Sequence, residues 1–357
     1  MKTGLTLEAL ATEIQRQKDA KVDYIVNTGK LQMDACGNDV VLRVMDTEGG
    51  DRIEPLDITQ NAHRQIGTHL SIPSKYYEKM RTEDPELLTV NVNSWLSRSN
   101  TTRMLRVLDG RARAFLSNRY LRLDNYEIAN AVLPIIADIK GATVESCQIT
   151  EDRMYIKVVN ERLQKEVTPG DIVQAGIIIS NSEVGLGSVS VQPLVYRLVC
   201  SNGMVVNDAG TRRNHIGRTN SEDENFLLYS DETIAADDKA FMMKVQDTVR
   251  AVVDEARFSQ VVDIMRDAAQ AKMNTVNVPE IVRLTSRDFG ISDSEQSGVL
   301  QHLIEGKDLS LYGLANAVTR YSQDVDSYDR ATDLEGIGYN IMVMPPKQWE
   351  RINYMAA

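Results

Sequence analysis

Apolar and polar residues alternate along this chain with two periods, and the dominant period changes near residue 230. Leu7, Leu10, Ala11 and Ile14 recur at helical spacing, which predicts a short amphipathic helix over residues 5–20. Strand composition follows in Val22–Val26, Lys30–Asp34 and Val40–Val44, with a turn at Cys36-Gly37-Asn38. Residues 58–80 return to a helical pattern in two pieces, divided at Pro73. Residues 87–95 read as a strand or sheet edge. Arg103–Leu108 and Arg111–Leu116 flank Asp109-Gly110, a strong two-residue hairpin signal. A helix is expected over Asn125–Ile139, then strands at 142–149, 153–159, 172–180, 188–192 and 194–200. Beyond 230, Phe241, Val245, Val249, Val252 and Ala256 step by threes and fours along a long helix. Ser292-x-x-Glu295 is a capping box, the helix it opens should end near Gly306, and Asp308 should cap the next one. The fold class is α+β: an antiparallel β-rich body with helices over 1–220, then a helical part over 230–357 packed on it.

Composition narrows the classes of function. With 357 residues and 42% hydrophobic content, the chain can bury a core without disulfides or metals. Its three cysteines, Cys36, Cys147 and Cys200, are dispersed, and neither Cys-x-x-Cys nor His-x-x-x-His occurs. No zinc site and no other metal or cofactor is assigned. Gly185-x-Gly187 lacks the third glycine and the helix of a dinucleotide fingerprint, and no ATPase-type phosphate loop exists. No catalytic residue can be named. The first residues carry no long apolar core and no run of 18 apolar residues appears, so a cytoplasmic protein without a membrane partner is expected.

Charge is the feature that points to a partner. The formal net charge is −11, yet residues 98–123 hold seven arginines and one acid. Residues 222–238 hold seven acids and no base. If the Asp109-Gly110 turn sets the register, Arg106 stands opposite Arg113 and Met104 opposite Phe115. Leu105, Val107, Ala112 and Ala114 would then form a core face, and Arg106, Arg111 and Arg113 would line the other beside Met104 and Phe115. Opposed like charges need an anion between them. Phosphate suits a row of guanidinium forks; pairing with the chain's own carboxylates, or a small anionic ligand, would serve as well. Arg103, Arg119 and Arg122 extend the block, and Arg212, Arg213 and Arg218 form a second basic stretch. Residues 65–80 also echo a helix-turn-helix with Lys75 and Lys79, a pattern that two packed helices at a proline share.

One stretch has a family likeness. Leu311-Tyr312-Gly313-Leu314-Ala315-Asn316-Ala317-Val318-Thr319-Arg320-Tyr321 resembles the signature of phage- and plasmid-like proteins carried by prophages and conjugative elements, a family named as a domain of unknown function. Ala62-x-x-Gln65, Ile72-Pro73-x-x-Tyr76-Tyr77 and Arg197-Leu-Val-Cys200-Ser-Asn202 are similar to further family segments. Where members carry Asp-His after the signature tyrosine, this chain has Gln323-Asp324. The resemblance implies a mobile-element protein and supplies no catalytic residues. Asn316, Thr319 and Tyr321 are read as structural, satisfying buried groups where the C-terminal helices dock.

The leading expectation is a non-enzymatic protein that binds nucleic acid, single-stranded DNA above all, in recombination or replication, and self-associates as a ring or filament. The candidate contacts are Arg103, Arg106, Arg111, Arg113, Arg119, Arg122, Arg212, Arg213 and Arg218. The alternative is a protein-interaction factor for host takeover or defence, whose arginine block meets an acidic partner.

Overall fold

The structure is a computed structural model and describes residues 1–45, 54–118, 120, 122–187, 189–207, 215–216, 231–252 and 255–356. Helix α1 (Leu7–Ala20) starts at Thr6, whose hydroxyl accepts from Ala9 N, and buries Leu10 and Ile14. Strands β1 (Val22–Asn27), β2 (Leu31–Cys36), β3 (Asp39–Val44) and β4 (Leu56–Ile58) follow. Then come α2 (Gln60–His69), α3 (Ser74–Glu83), α4 (Pro85–Ser99), β5 (Thr102–Leu108) and β6 (Arg111–Ser117). The six strands form one sheet in the order β1-β5-β6-β4-β3-β2. All pairs are antiparallel except β4 with β6. Helices α2 to α4 cover one face, packing Ile66, Tyr77, Leu88 and Leu96 on Met33, Leu42 and Leu105.

Residues 87–95, expected as a strand, belong to α4. Asp84 caps the helix by accepting from Leu87 N, and Pro85 sits at its first turn. Leu88, Val92 and Leu96 are buried at spacings of four, so the core contact and the cap override the strand-like Val-Asn alternation.

The β5–β6 turn is as expected: Asp109 and Gly110 both have positive φ, 50° and 74°, the type I′ geometry. The register beyond it is corrected by a bulge. Val107 faces Ala112, but Arg106 faces Ala114, Leu105 faces Phe115 and Met104 faces Leu116. The extra residue moves Arg113 out of line with Arg106. Both hairpin faces are also buried. Phe115 joins Leu105, Val107 and Ala112 under the helices, while Met104, Ala114 and Leu116 pack on Val184. Met104 and Phe115 are therefore core residues, at 1% and 3% exposure, and not exposed neighbours of the arginines.

Helix α5 (Asn125–Asp138) leads into a second antiparallel sheet of β7 (Ala142–Ile149), β8 (Met154–Thr168), β9 (Asp171–Asn181), β10 (Val189–Arg197) and β11 (Asn202–Val205). The two-residue β12 (His215–Ile216) pairs with the start of β10. The two strands expected over 188–200 are one, β10, which runs through Pro193. That proline, which has no N–H to donate, lies between the residues paired with β12 and those paired with β11.

The remaining helices are α6 (Asp231–Val252), α7 (Glu255–Gln270), α8 (Val278–Phe289), α9 (Asp293–Gly306), α10 (Leu311–Tyr321), α11 (Tyr328–Met342) and α12 (Pro346–Met355). The long helix expected across 241–256 falls on α6 and the first residues of α7, and residues 253–254 between them lie outside the described residues. The second sheet is covered on both faces. On one face Ile156, Ile177, Ile179 and Val191 pack with α1, α5 and α6, and farther along Val173, Ala175, Val195 and Met204 pack with the helices from α7 onward; on the other, Tyr155, Val159, Ile178 and Leu194 pack with Met1 and Tyr328. The Ser292–Glu295 capping box forms as expected. Helix α10 is capped by Ser310, which accepts from Gly313 N at 3.1 Å, and not by Asp308. The Asp308 carbonyl instead packs where a Cβ at position 313 would stand, 1.8 Å from it, so only glycine fits there.

Candidate functional site

The arginine hairpin holds the two sheets together through carboxylates. Arg106 is 3% exposed. Its Nε donates to Asp23 at 2.9 Å, its Nη2 to Asp124 at 2.6 Å and its Nη1 to the Glu183 carbonyl at 3.0 Å. Burial opposes its charge, but Asp124 and Asp23 outweigh burial and raise its pKa. Arg113 Nη1 donates to Glu183 Oε2 at 3.3 Å, and Glu183 Oε1 accepts from Asn125 N at 2.7 Å. Arg103 meets His69 and lies 5.5 Å from the Phe115 ring centroid. Arg111 pairs with Glu151, and Arg122 lies 3.6 Å from Asp23; these two side chains are about half exposed, at 46% and 52%. Arg119, Arg212, Arg213 and Arg218 lie outside the described residues. Among the described residues, the acids that meet the hairpin are Asp23, Asp124, Glu151 and Glu183, drawn from four places in the chain.

A surface that sequence reading missed lies on the helical side of the first sheet. The α2–α3 turn and α4 enclose an open groove of about 570 Å³. Its walls include Ile72 and Pro73 from the turn, Tyr76 from α3, and Asn91, Trp95 and Arg98 from α4; among the described residues none of its lining is a carboxylate. Tyr76 and Trp95 are each 47% exposed. Arg98 lies over the Trp95 indole, 5.4 Å from the ring centroid. The turn is held from below. Ile72 N donates to Gly67 O at 2.9 Å, and the Tyr77 ring packs against Gly67, where a Cβ would come within 3.0 Å. His63 Nδ1 lies 2.9 Å from the Tyr77 hydroxyl, and burial lowers the His63 pKa to about 4. That imidazole is therefore neutral at pH 7. The available signal was Trp95 and Arg98, one helical turn apart, which reads as a shared face only once 85–99 is a helix.

The signature helix brings the other motif segments together. Tyr312 donates to Asp171 Oδ2 at 2.9 Å. The Arg197 fork grips the same carboxylate, Nε at 2.6 Å and Nη2 at 2.9 Å. Arg197 Nη1 faces Cys200 Sγ at 3.4 Å. Asn202 donates to Thr319 Oγ1, which donates to the Asn316 carbonyl at 3.1 Å. The Tyr321 ring packs on Gly298, where a Cβ would lie 2.2 Å from the ring. Burial raises the Tyr312 pKa, so its phenol stays protonated. In place of the family's Asp-His, Gln323 donates to the Cys200 carbonyl at 3.1 Å, and Asp324 meets His302 Nε2 at 2.5 Å. Beside these groups lies a cavity of about 170 Å³ lined by Arg197, Cys200, His302, Leu303, Asn316 and Arg320 among others.

A family model described as a domain of unknown function, DUF932, matches residues 114–337. That is more than half of the chain, and the chain belongs to this family. The matched segment contains every residue of the signature cavity and none of the Tyr76–Trp95 groove. No curated protein and no solved structure matches the chain. Among the described residues no helix is long and apolar enough to cross a membrane.

Proposed function

We propose that the chain is a mobile-element protein that binds nucleic acid, single-stranded DNA in preference, in recombination or replication. The observation that carries the reading is the groove. Two half-exposed aromatic rings flank it, a guanidinium stacks on one of them, and among the described residues none of its lining is a carboxylate. Aromatic platforms beside cations are how sequence-tolerant single-strand binders hold bases, at about 1–3 kcal/mol per stacked base. Arg111 and Arg122 add exposed cations on the hairpin. The exposed Arg111–Glu151 pair is worth only about 0–1 kcal/mol, so phosphate can displace that carboxylate, and Arg122 stands 3.6 Å from an Asp23 that Arg106 already holds. Arg106 and Arg113 hold the protein's own acids and are assigned no phosphate. Self-association into a ring or filament belongs to the same proposal.

The test uses the indole itself. Trp95 is exposed and the other tryptophan, Trp349, is buried. Titration with an oligothymidylate should therefore quench fluorescence, and Trp95→Phe should remove the quenching. Tyr76→Ala or Trp95→Ala should each weaken binding by about 1–3 kcal/mol, and Arg98→Gln should lower the salt slope by about 0.7. A wild-type chain that binds no strand at low salt would end the reading. A second reading has one observation in its favour. Val90 is 66% exposed and Leu87 40% exposed on the same helix as Trp95. This apolar extension suits a protein partner, and retained partner capture without strand binding would favour it.

A further inference from the structure

We propose that the cavity beside the signature helix is a binding site for a small carboxylate, independent of the nucleic-acid reading. The first ground is a buried donor. Asn316 is 8% exposed, and its amide nitrogen has no hydrogen-bond partner among the described residues. It sits beside the Tyr312 phenol, which donates to Asp171, but no hydrogen bond of acceptable geometry joins the amide to that oxygen. A buried donor left without an acceptor costs about 1–3 kcal/mol. The side chain lines the cavity, where an acceptor can reach it.

The second ground is a guanidinium held in place with an edge to spare. The Arg197 fork is fixed on Asp171, and the Tyr312 ring lies 5.6 Å from its central carbon. Among the described residues, its Nη1 meets only the Cys200 sulfur at 3.4 Å, a weak acceptor. Arg320 supplies a third donor group, with Nη1 3.2 Å from Asp324. Leu303 and Ala317 supply apolar wall.

The charge balance selects the ligand. The two arginines are matched one for one by Asp171 and Asp324, and Glu305 and Asp308 stand among the lining residues with His302, so no positive excess remains. The cavity thus offers directed donors rather than a large positive potential. Any anion meets those acids, but a planar monoanion meets them with less charge than a phosphate, so it loses less against the same donors. A carboxylate on a short chain fits both the donors and the apolar wall.

Cys200 is the built-in reporter. Cys147 is buried, so Cys36→Ser leaves Cys200 as the reactive thiol. The rate of iodoacetamide labelling of Cys200 is measured in the full chain against sodium acetate, propionate, inorganic phosphate and chloride, at matched ionic strength and pH. Acetate or propionate should slow labelling in a saturable way that chloride does not reproduce. Asn316→Asp, which is isosteric but replaces the donor by a carboxylate, should weaken that protection about tenfold or more, the loss of one hydrogen bond to a charged group. If that variant does not fold, Arg320→Gln at the cavity edge should weaken it instead. Labelling unaffected by any carboxylate overturns the proposal, and so does protection by phosphate alone. Loss of oligonucleotide binding in the groove variants, with Cys200 protection intact, would separate the two sites.

Discussion

Arg106 and Arg197 are both largely buried, both on strands and both held by aspartate, yet their surroundings differ in one respect. Arg106 sends its donors to Asp23, Asp124 and the Glu183 carbonyl, so every nitrogen has an oxygen acceptor. Arg197 has one such acceptor group, Asp171, and its remaining edge faces a thiol and a small cavity. A buried guanidinium with an oxygen acceptor on each nitrogen fixes architecture, joining α5, the first sheet and the loop after β9. A half-saturated one beside an unpartnered amide is a receptor. The distinction lies in acceptor counting, which burial or charge alone would not make.

The comparison breaks most visibly at Arg106. Arg106→Met leaves Asp23 and Asp124 buried with less compensation, and stability should fall by about 3–5 kcal/mol. Urea unfolding measures this, and protection of Cys200 by acetate should persist at temperatures where the variant remains folded. A variant as stable as wild type would show that the three acceptors do not hold the sheets together.

A smaller effect is expected at an arginine of intermediate burial. Arg330 grips Glu295 with Nε and Nη2, both at 2.8 Å, on the α9 capping box. That hydrogen bonding lowers the Glu295 pKa from 4.5 to about 2. The folded pKa lies below the unfolded one, so the stabilisation is complete above the unfolded value and is lost as pH falls through about 2. Glu295→Gln should be about 1–3 kcal/mol less stable than wild type at pH 7, with the gap closing between pH 4.5 and 2. A gap that stays constant across that range would assign the loss to the cap rather than to the charge.

How much of this was legible in the sequence depended on the distance over which each feature is determined. The type I′ turn at Asp109-Gly110, the capping box at Ser292 and the α+β order are local, and residue type signals them directly. The bulge that separates Arg106 from Arg113 is not local: it lets both hairpin faces meet apolar layers. Helix α4 was misread because Val90, Asn91, Val92 and Asn93 alternate like a strand, while the deciding contacts are the Asp84 cap and the sheet beneath. The Tyr76–Trp95 groove vanished with that misreading. The signature cavity needs Arg197, Cys200 and Asn202 to meet Tyr312, Asn316 and Thr319 across more than 100 residues, as in the Asn202–Thr319 bond. No spacing rule reaches that far. The resemblance named both segments, but only the fold placed them side by side.

The smallest effect is expected at Arg111, and it sharpens the comparison from the exposed end. Its side chain is 46% exposed and that of Glu151 is 58% exposed. Water screens both ions with or without the contact, so the pair is worth about 0–1 kcal/mol. Arg111→Gln should therefore leave the unfolding midpoint almost unmoved, in contrast to Arg106→Met on the neighbouring strand. Freed from a structural role, the same side chain is the hairpin arginine best able to exchange its carboxylate for a phosphate. If strands run from the groove onto the hairpin, Arg111→Gln should reduce the salt dependence of oligothymidylate binding by about 0.7 in slope. An unchanged slope with unchanged stability would confine the strand to the groove. A loss of stability near that of Arg106→Met would mean that exposure does not set the worth of these pairs, and the contrast between a saturated and an exposed arginine would fail.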